Sequence, residues 1–105
     1  MDSDYRADAR SEVLNEVREP GMYAVIFYND DVTTMDFVVS LLVKIFHKKP
    51  AEASALMMEI HNAGSGVAGV FTFDVAVTKK TQADLLSAEK GFPLRVGVEA
   101  AESVL

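Results

Sequence analysis

Two apolar blocks of different kinds, parted by a short polar stretch, constrain this chain more than any other feature. "MYAVIFY" (22–28) is dense in β-branched and aromatic residues, as a well-buried strand requires. "FVVSLLVKIF" (37–46) is broken only by Ser40 and Lys44, which fall in steps of four from Asp36. That stripe is narrow, so a helix here must be covered over most of its circumference. Between the blocks stands "NDDVTTMD" (29–36). Strand and helix must fold back on each other through a loop built almost entirely of hydrogen-bonding side chains.

The rest of the chain is punctuated clearly. Glu19-Pro20-Gly21 is a breaker, so residues 1–20 are expected to form a mobile extension and residues 21–105 one domain. Thr33 and Asp36 have capping-box spacing, which predicts a first helix over about 34–47, closed by "HKKP". Pro50 suits the first position of a second helix. There Ala53, Leu56, Met57 and Ile60 share one face, Glu52 and Glu59 point away, and Gly64 lies beyond the end. "GVAGVFTF" (66–73) reads as a strand, and Asp74 as the cap of a third helix over about 75–89, with Ala76, Ala83 and Leu86 inward and Gly91 beyond it. "PLRVGVE" (93–99) alternates Leu94, Val96 and Val98 inward as a final strand. The order β-α-α-β-α-β predicts an α+β fold, a small three-stranded antiparallel sheet covered by three helices.

Composition narrows the function. A chain of 105 residues, half of them hydrophobic, makes one small domain with a real core. Its net charge of −6 argues against nucleic acid and against an anionic membrane surface. No apolar run reaches the roughly 20 residues that a membrane span takes. Cysteine is absent, which removes disulfide and thiolate chemistry. The opening "MDSDYRADAR" is too acidic and polar for a secretory signal, so a cytoplasmic protein is expected.

Catalytic and metal readings fail on spacing. A calcium loop needs alternating ligands and a closing Glu, which "NDDVTTMDF" lacks. Ser40, Ser54, Ser65 and Ser87 sit in no nucleophile-elbow context, and "GSGVAG" enters a strand instead of opening a helix. A pair of His61 with Asp30 or Asp31 would have no oxyanion device beside it. No enzyme activity, metal or cofactor is expected. Asx residues also make ordinary turns, and a histidine near a helix end can simply sit on the dipole. Nevertheless, acceptors from Asn29, Asp30, Asp31 and His61 can surround a cation, while Met35, Val38, Met57 and Ile60 line a hollow beside it. The ligand such a site suits is an ammonium attached to an apolar side chain, as at the free amino terminus of a peptide.

At these residues the sequence resembles the ClpS family, adaptors that deliver N-degron substrates to Clp unfoldases. The resemblance runs from about Met22 to Glu99 and is carried by "NDDVTTMDFV", "FHK", "ALMMEIHNAG", "GVFTFDVAVTK" and "PL". It implies amino-group ligands at Asn29, Asp30, Asp31 and His61, and a side-chain pocket at Thr33, Met35, Val38, Met57, Ile60 and Leu94. In the family that pocket accepts N-terminal Leu, Phe, Tyr and Trp, and Met35 matches the residue associated with rejecting β-branched ones. The resemblance also implies partners, namely N-degron proteins and a ClpA- or ClpC-type AAA+ unfoldase touched around Asp74 and Lys79. Val32, Thr34 and Val77 depart from the family pattern, where an aromatic, a proline and a glutamate are common. The competing expectation is an interaction module of the same fold without amine recognition.

Overall fold

The computed structural model describes residues 21–105; the extension expected over residues 1–20 lies outside them. The elements are β1 (Met22–Tyr28), α1 (Met35–Lys44), α2 (Pro50–Ala63), β2 (Ser65–Thr72), α3 (Phe73–Lys90), β3 (Arg95–Ala100) and a short α4 (Ala101–Val104). The predicted order is observed, with α4 added at the end. "AESV" offers too few residues to show a helical period, and α4 forms by packing back on β1 and β3.

β1 is the central strand, paired antiparallel with β2 on one side and β3 on the other. Its burial follows from that position, since Ala24, Val25, Ile26 and Phe27 are all buried. Alternation splits the sheet into two faces. Val25 and Phe27, opposite Val98 and Val96, point toward the helices. Ile26 and Tyr28, opposite Gly97 and Arg95, stand on the other face. The register with β2 slips between Val25 and Ile26, leaving Ala68 as the unpaired residue of a bulge. Ala68 is buried in the core as a result.

The three long helices close one core over the inner face. Val38, Leu41, Leu42 and Ile45 of α1 and its end meet Ala53 and Ile60 of α2 and Ala76 and Ala83 of α3. Buried alanines on α3 let its backbone approach the sheet. Gly66 does the same for α2, because a Cβ there would lie 2.8 Å from Ile60 Cγ1. Each fully buried aliphatic or aromatic side chain contributes roughly 1.5–3 kcal/mol, and Phe27, Leu41, Leu42 and Val25 are the largest of them.

Two helix limits differ from the sequence expectation for local reasons. α3 begins at Phe73, directly after the strand, with Thr72 at the capping position and no side-chain cap. Asp74 therefore falls inside the first turn, where its charge still complements the dipole. α1 ends at Lys44 instead of running to His47. The chain closes there by a hydrogen bond from Lys48 N–H to the Leu42 carbonyl (3.0 Å), with His47 in the left-handed region at φ 58°. That conformation is one glycine adopts freely and histidine does not. His47→Gly is expected to stabilise the domain by about 0.5–1 kcal/mol, read as a higher urea midpoint at unchanged slope.

Candidate functional site

The polar half of the site is organised by Asp30. Its Oδ1 accepts the N–H groups of Val32 (2.8 Å) and Thr33 (2.7 Å), and its Oδ2 accepts the Thr33 hydroxyl (2.8 Å). A carboxylate offers about four lone-pair positions, so the loop itself uses three and leaves one on Oδ2. Partial burial alone would raise the Asp30 pKa, but the hydrogen bonds from Thr33 and Val32 outweigh it and hold the carboxyl below the usual aspartate range. The helix cap also shifts by one residue from the sequence expectation. Thr33 is spent on Asp30, and Thr34 Oγ1 instead accepts the Phe37 N–H at 3.2 Å. Helix α1 therefore starts at Met35, with Met35 41% exposed and Val38 buried one turn further in.

The loop is fixed to α2 by backbone. Asn29 N–H donates to the carbonyl of Gly64 at 2.9 Å. Gly64 adopts φ 94° as it closes α2, a turn that suits glycine, and its own N–H bonds the Ile60 carbonyl. His61 stands in the last turn of α2, exposed. The backbone of Asn29 therefore lies beside the end of α2, and the side chains of Asn29, Asp31 and His61 are all exposed.

The residues expected to line an apolar pocket come from the Thr33 loop, α1, α2 and the segment before β3, and Val38, Ile60, Leu94 and Met57 belong to one apolar cluster. Val38, Ile60 and Leu94 are buried, Thr33 and Met57 partly so. Two residues before Leu94, the Phe92 ring packs at a tilt against Phe37 of α1, with centroids 5.0 Å apart. Sequence reasoning missed this pair. Phe37 stood in a helical run and Phe92 in a turn, and only the tertiary contact links them. It equally missed the Gly64 carbonyl, although Gly64 itself was read as a helix stop. A separate open groove of about 420 Å³ is lined by Lys48, Glu52, Ala55, Leu56, Glu59 and Val67. It shares no residue with the site, and Glu52 within it already accepts the Lys49 N–H at 3.2 Å.

Residues 18–97 match the family described as "ATP-dependent Clp protease adaptor protein ClpS". The chain belongs to the ClpS family. ClpS of Syntrophus aciditrophicus is 46% identical over 85 residues, covering 81% of this chain and 79% of that protein. ClpS of Acetivibrio thermocellus is 43% identical over 90 residues, covering 86% and 91%. Among solved structures, Agrobacterium tumefaciens ClpS2 bound to L-phenylalaninamide superposes with TM-score 0.74 at 37% identity, over 77% of this chain and 98% of that one.

The two residues expected to touch an unfoldase differ in availability. Asp74 is exposed in the first turn of α3, beside exposed Phe73, Val75 and Val77. Lys79 is partly buried, and its ammonium donates to the Ile45 carbonyl at 2.6 Å. It also lies over the rings of Phe71 (5.3 Å) and Phe46 (5.7 Å). In this ClpS domain Lys79 therefore holds the end of α1 to α3. Met22 pairs with Thr72 and Tyr28 with Ser65, so the start of α3 and the Asn29 loop sit at opposite ends of the sheet. The strand rise puts them roughly 20 Å apart.

Asp30→Ala is expected to lower stability by about 1 kcal/mol at neutral pH. A carboxyl with a depressed folded pKa contributes fully above its unfolded value of about 3.9 and loses that contribution as pH falls through the lower folded value. The stability gap between the native chain and the variant, followed by urea unfolding, should therefore be constant down to about pH 4 and close below it.

Proposed function

We propose that this ClpS domain binds chains that begin with Leu, Phe, Tyr or Trp, and delivers them to a ClpA- or ClpC-type unfoldase in the cytoplasm. It acts by binding, with no reaction of its own. The observation that carries this reading is the Asn29–Gly64 hydrogen bond. It ties the acceptor-rich loop to the helix end bearing His61, so that acceptors from two elements can meet one ammonium group. Asn29, Asp31 and His61 supply exposed acceptors, and Asp30 has one remaining lone pair while it stiffens the loop.

Beside them Met35, Val38, Met57, Ile60, Thr33 and Leu94 offer the apolar wall for the first side chain. The ligand of the A. tumefaciens relative, L-phenylalaninamide, combines an α-amine with a benzyl group and so has the two chemistries required. Two thioethers in the wall suit a pocket that accepts several large shapes, because methionine adapts by rotation. No helix among the described residues is long and apolar enough to cross a membrane. Asp74, with its apolar surroundings, is the side offered to the unfoldase.

The expected affinity follows from opposing terms. Each charge-assisted hydrogen bond contributes roughly 1.5–3 kcal/mol, and burying a Leu- or Phe-sized side chain roughly 1.5–3 kcal/mol more. Association costs several kcal/mol, which leaves a dissociation constant on the order of micromolar. Both halves of the site are needed to reach it.

Acetylating the amine removes its charge and two of its donors. A fluorescent Phe-initiated peptide and its acetylated twin, compared by anisotropy, should differ by about 100-fold or more, equivalent to about 3 kcal/mol. Equal binding would leave an interaction module that ignores the amino terminus. Met35→Ala should admit Ile- and Val-initiated peptides to within about ten-fold of the Leu peptide in the same assay; their continued exclusion would remove Met35 as the gate.

A further inference from the structure

The connector over residues 91–94, which ends in Leu94, is tied down at both ends and in the middle. α3 closes with Gly91 at φ 75°, where the Gly91 N–H donates to the Ala88 carbonyl (3.1 Å) and the Phe92 N–H to the Ser87 carbonyl (2.9 Å). Pro93 has its own φ fixed by its ring, and Arg95 opens β3 by pairing with Tyr28. Between those backbone anchors the Phe92 ring reaches across to Phe37 of α1, with centroids 5.0 Å apart and planes inclined at 56°. Both rings are partly buried, and Phe37 also packs against the core.

Phe37 is itself a junction. Its N–H donates to Thr34 Oγ1 (3.2 Å), the cap that starts α1 directly after the acceptor loop. Its carbonyl accepts the Ser40 hydroxyl at 2.7 Å. The next residue is Val38, buried in one apolar cluster with Leu94 and Ile60. The ring pair therefore joins two of the segments expected to line the pocket: α1, with Met35 and Val38, and the connector, with Leu94. α2, with Met57 and Ile60, is held to the loop separately through Asn29 and Gly64.

We propose that Phe92, through its contact with Phe37, is a positioning residue that fixes how far Leu94 stands from α1, and so sets the ranking of Leu against Trp as the first residue of the bound chain. The inference rests on the amine reading above. A short side chain depends on a close wall, because a gap of about 0.5–1 Å forfeits a quarter to a half of each dispersion contact. An indole is long enough to keep touching a wall that has drawn back. Loss of the ring pair therefore costs a Leu-initiated chain more than a Trp-initiated one. The amine is the same in both chains, so its share of the binding cancels in their ratio.

The test uses the full chain and fluorescent peptides that differ only in beginning with Leu or Trp, compared by anisotropy. Phe92→Leu should raise the Trp-over-Leu affinity ratio by about three- to five-fold, and Phe37→Leu by a similar factor. The double variant should go no further than either single one, since both remove one contact. Phe92→Tyr, which keeps the ring, should retain the native ratio. Phe46→Leu alters a buried ring beyond the far end of α1, 5.4 Å from that of Phe27. It should lower the urea midpoint and leave the ratio alone. Should Phe92→Leu fail to fold, Phe92→Met removes the same ring and is read by the same ratio. An unchanged ratio in the variants that lack the ring pair, or an equal shift in Phe46→Leu, overturns the assignment of Phe92 and leaves the amine reading standing. Failure of every free-amine peptide to bind the native chain overturns both.

Discussion

The hydrogen bond from Asn29 to Gly64 joins the two parts of the molecule that matter most to one another. It continues the pairing of β1 with the start of β2 by one further step, past Tyr28 and Ser65. That step sits where the strand gives way to loop and where α2 turns into β2. The sheet therefore ends, the loop begins and the helix stops within one small neighbourhood. A binding residue placed on any of the three is held by secondary structure on both sides.

The same economy appears in how individual side chains are spent. Asp30 gives most of its acceptor capacity to the loop's own N–H and hydroxyl groups, which is what frees Asn29 and Asp31 to face outward. Lys79 behaves similarly at the other end, where its ammonium occupies a helix-terminal carbonyl and two aromatic faces. Both are charged residues that a surface view would assign to partners. Geometry gives each a first duty inside the fold.

Periodicity and punctuation made most of the architecture legible in the sequence. β1, α1, α2 and β3 each carry a pattern strong enough to survive tertiary packing, and the Pro50 and Gly64 limits of α2 were written in single residues. The misses have a common cause. Thr33 and Thr34 are chemically interchangeable as caps, and the choice between them was made by Asp30, which sequence spacing does not weigh. His47 was an ordinary helix-end histidine until the chain reversal put it at positive φ. The ring pair Phe37–Phe92 and the stacking of Arg95 on Tyr28 join residues more than fifty positions apart, so no local rule exposes them. The candidate binding residues, in contrast, were singled out in the sequence by a crowd of acceptors between two apolar blocks and by the resemblance of "NDDVTTMDFV" and "ALMMEIHNAG" to the ClpS family.

The central place of β1 has a consequence for how the chain is made. Its partners arrive late, β2 ending at Thr72 and β3 at Ala100, while β1 is complete at Tyr28. During synthesis the most hydrophobic strand of the domain has both flanks bare until residues far downstream emerge, and such long-range closures are slow. Among the described elements, α1 and α2 are the cover finished before either partner strand. A ribosome-stalled or truncated product lacking β3 would present one naked edge of β1 to other chains, the geometry from which aggregation starts.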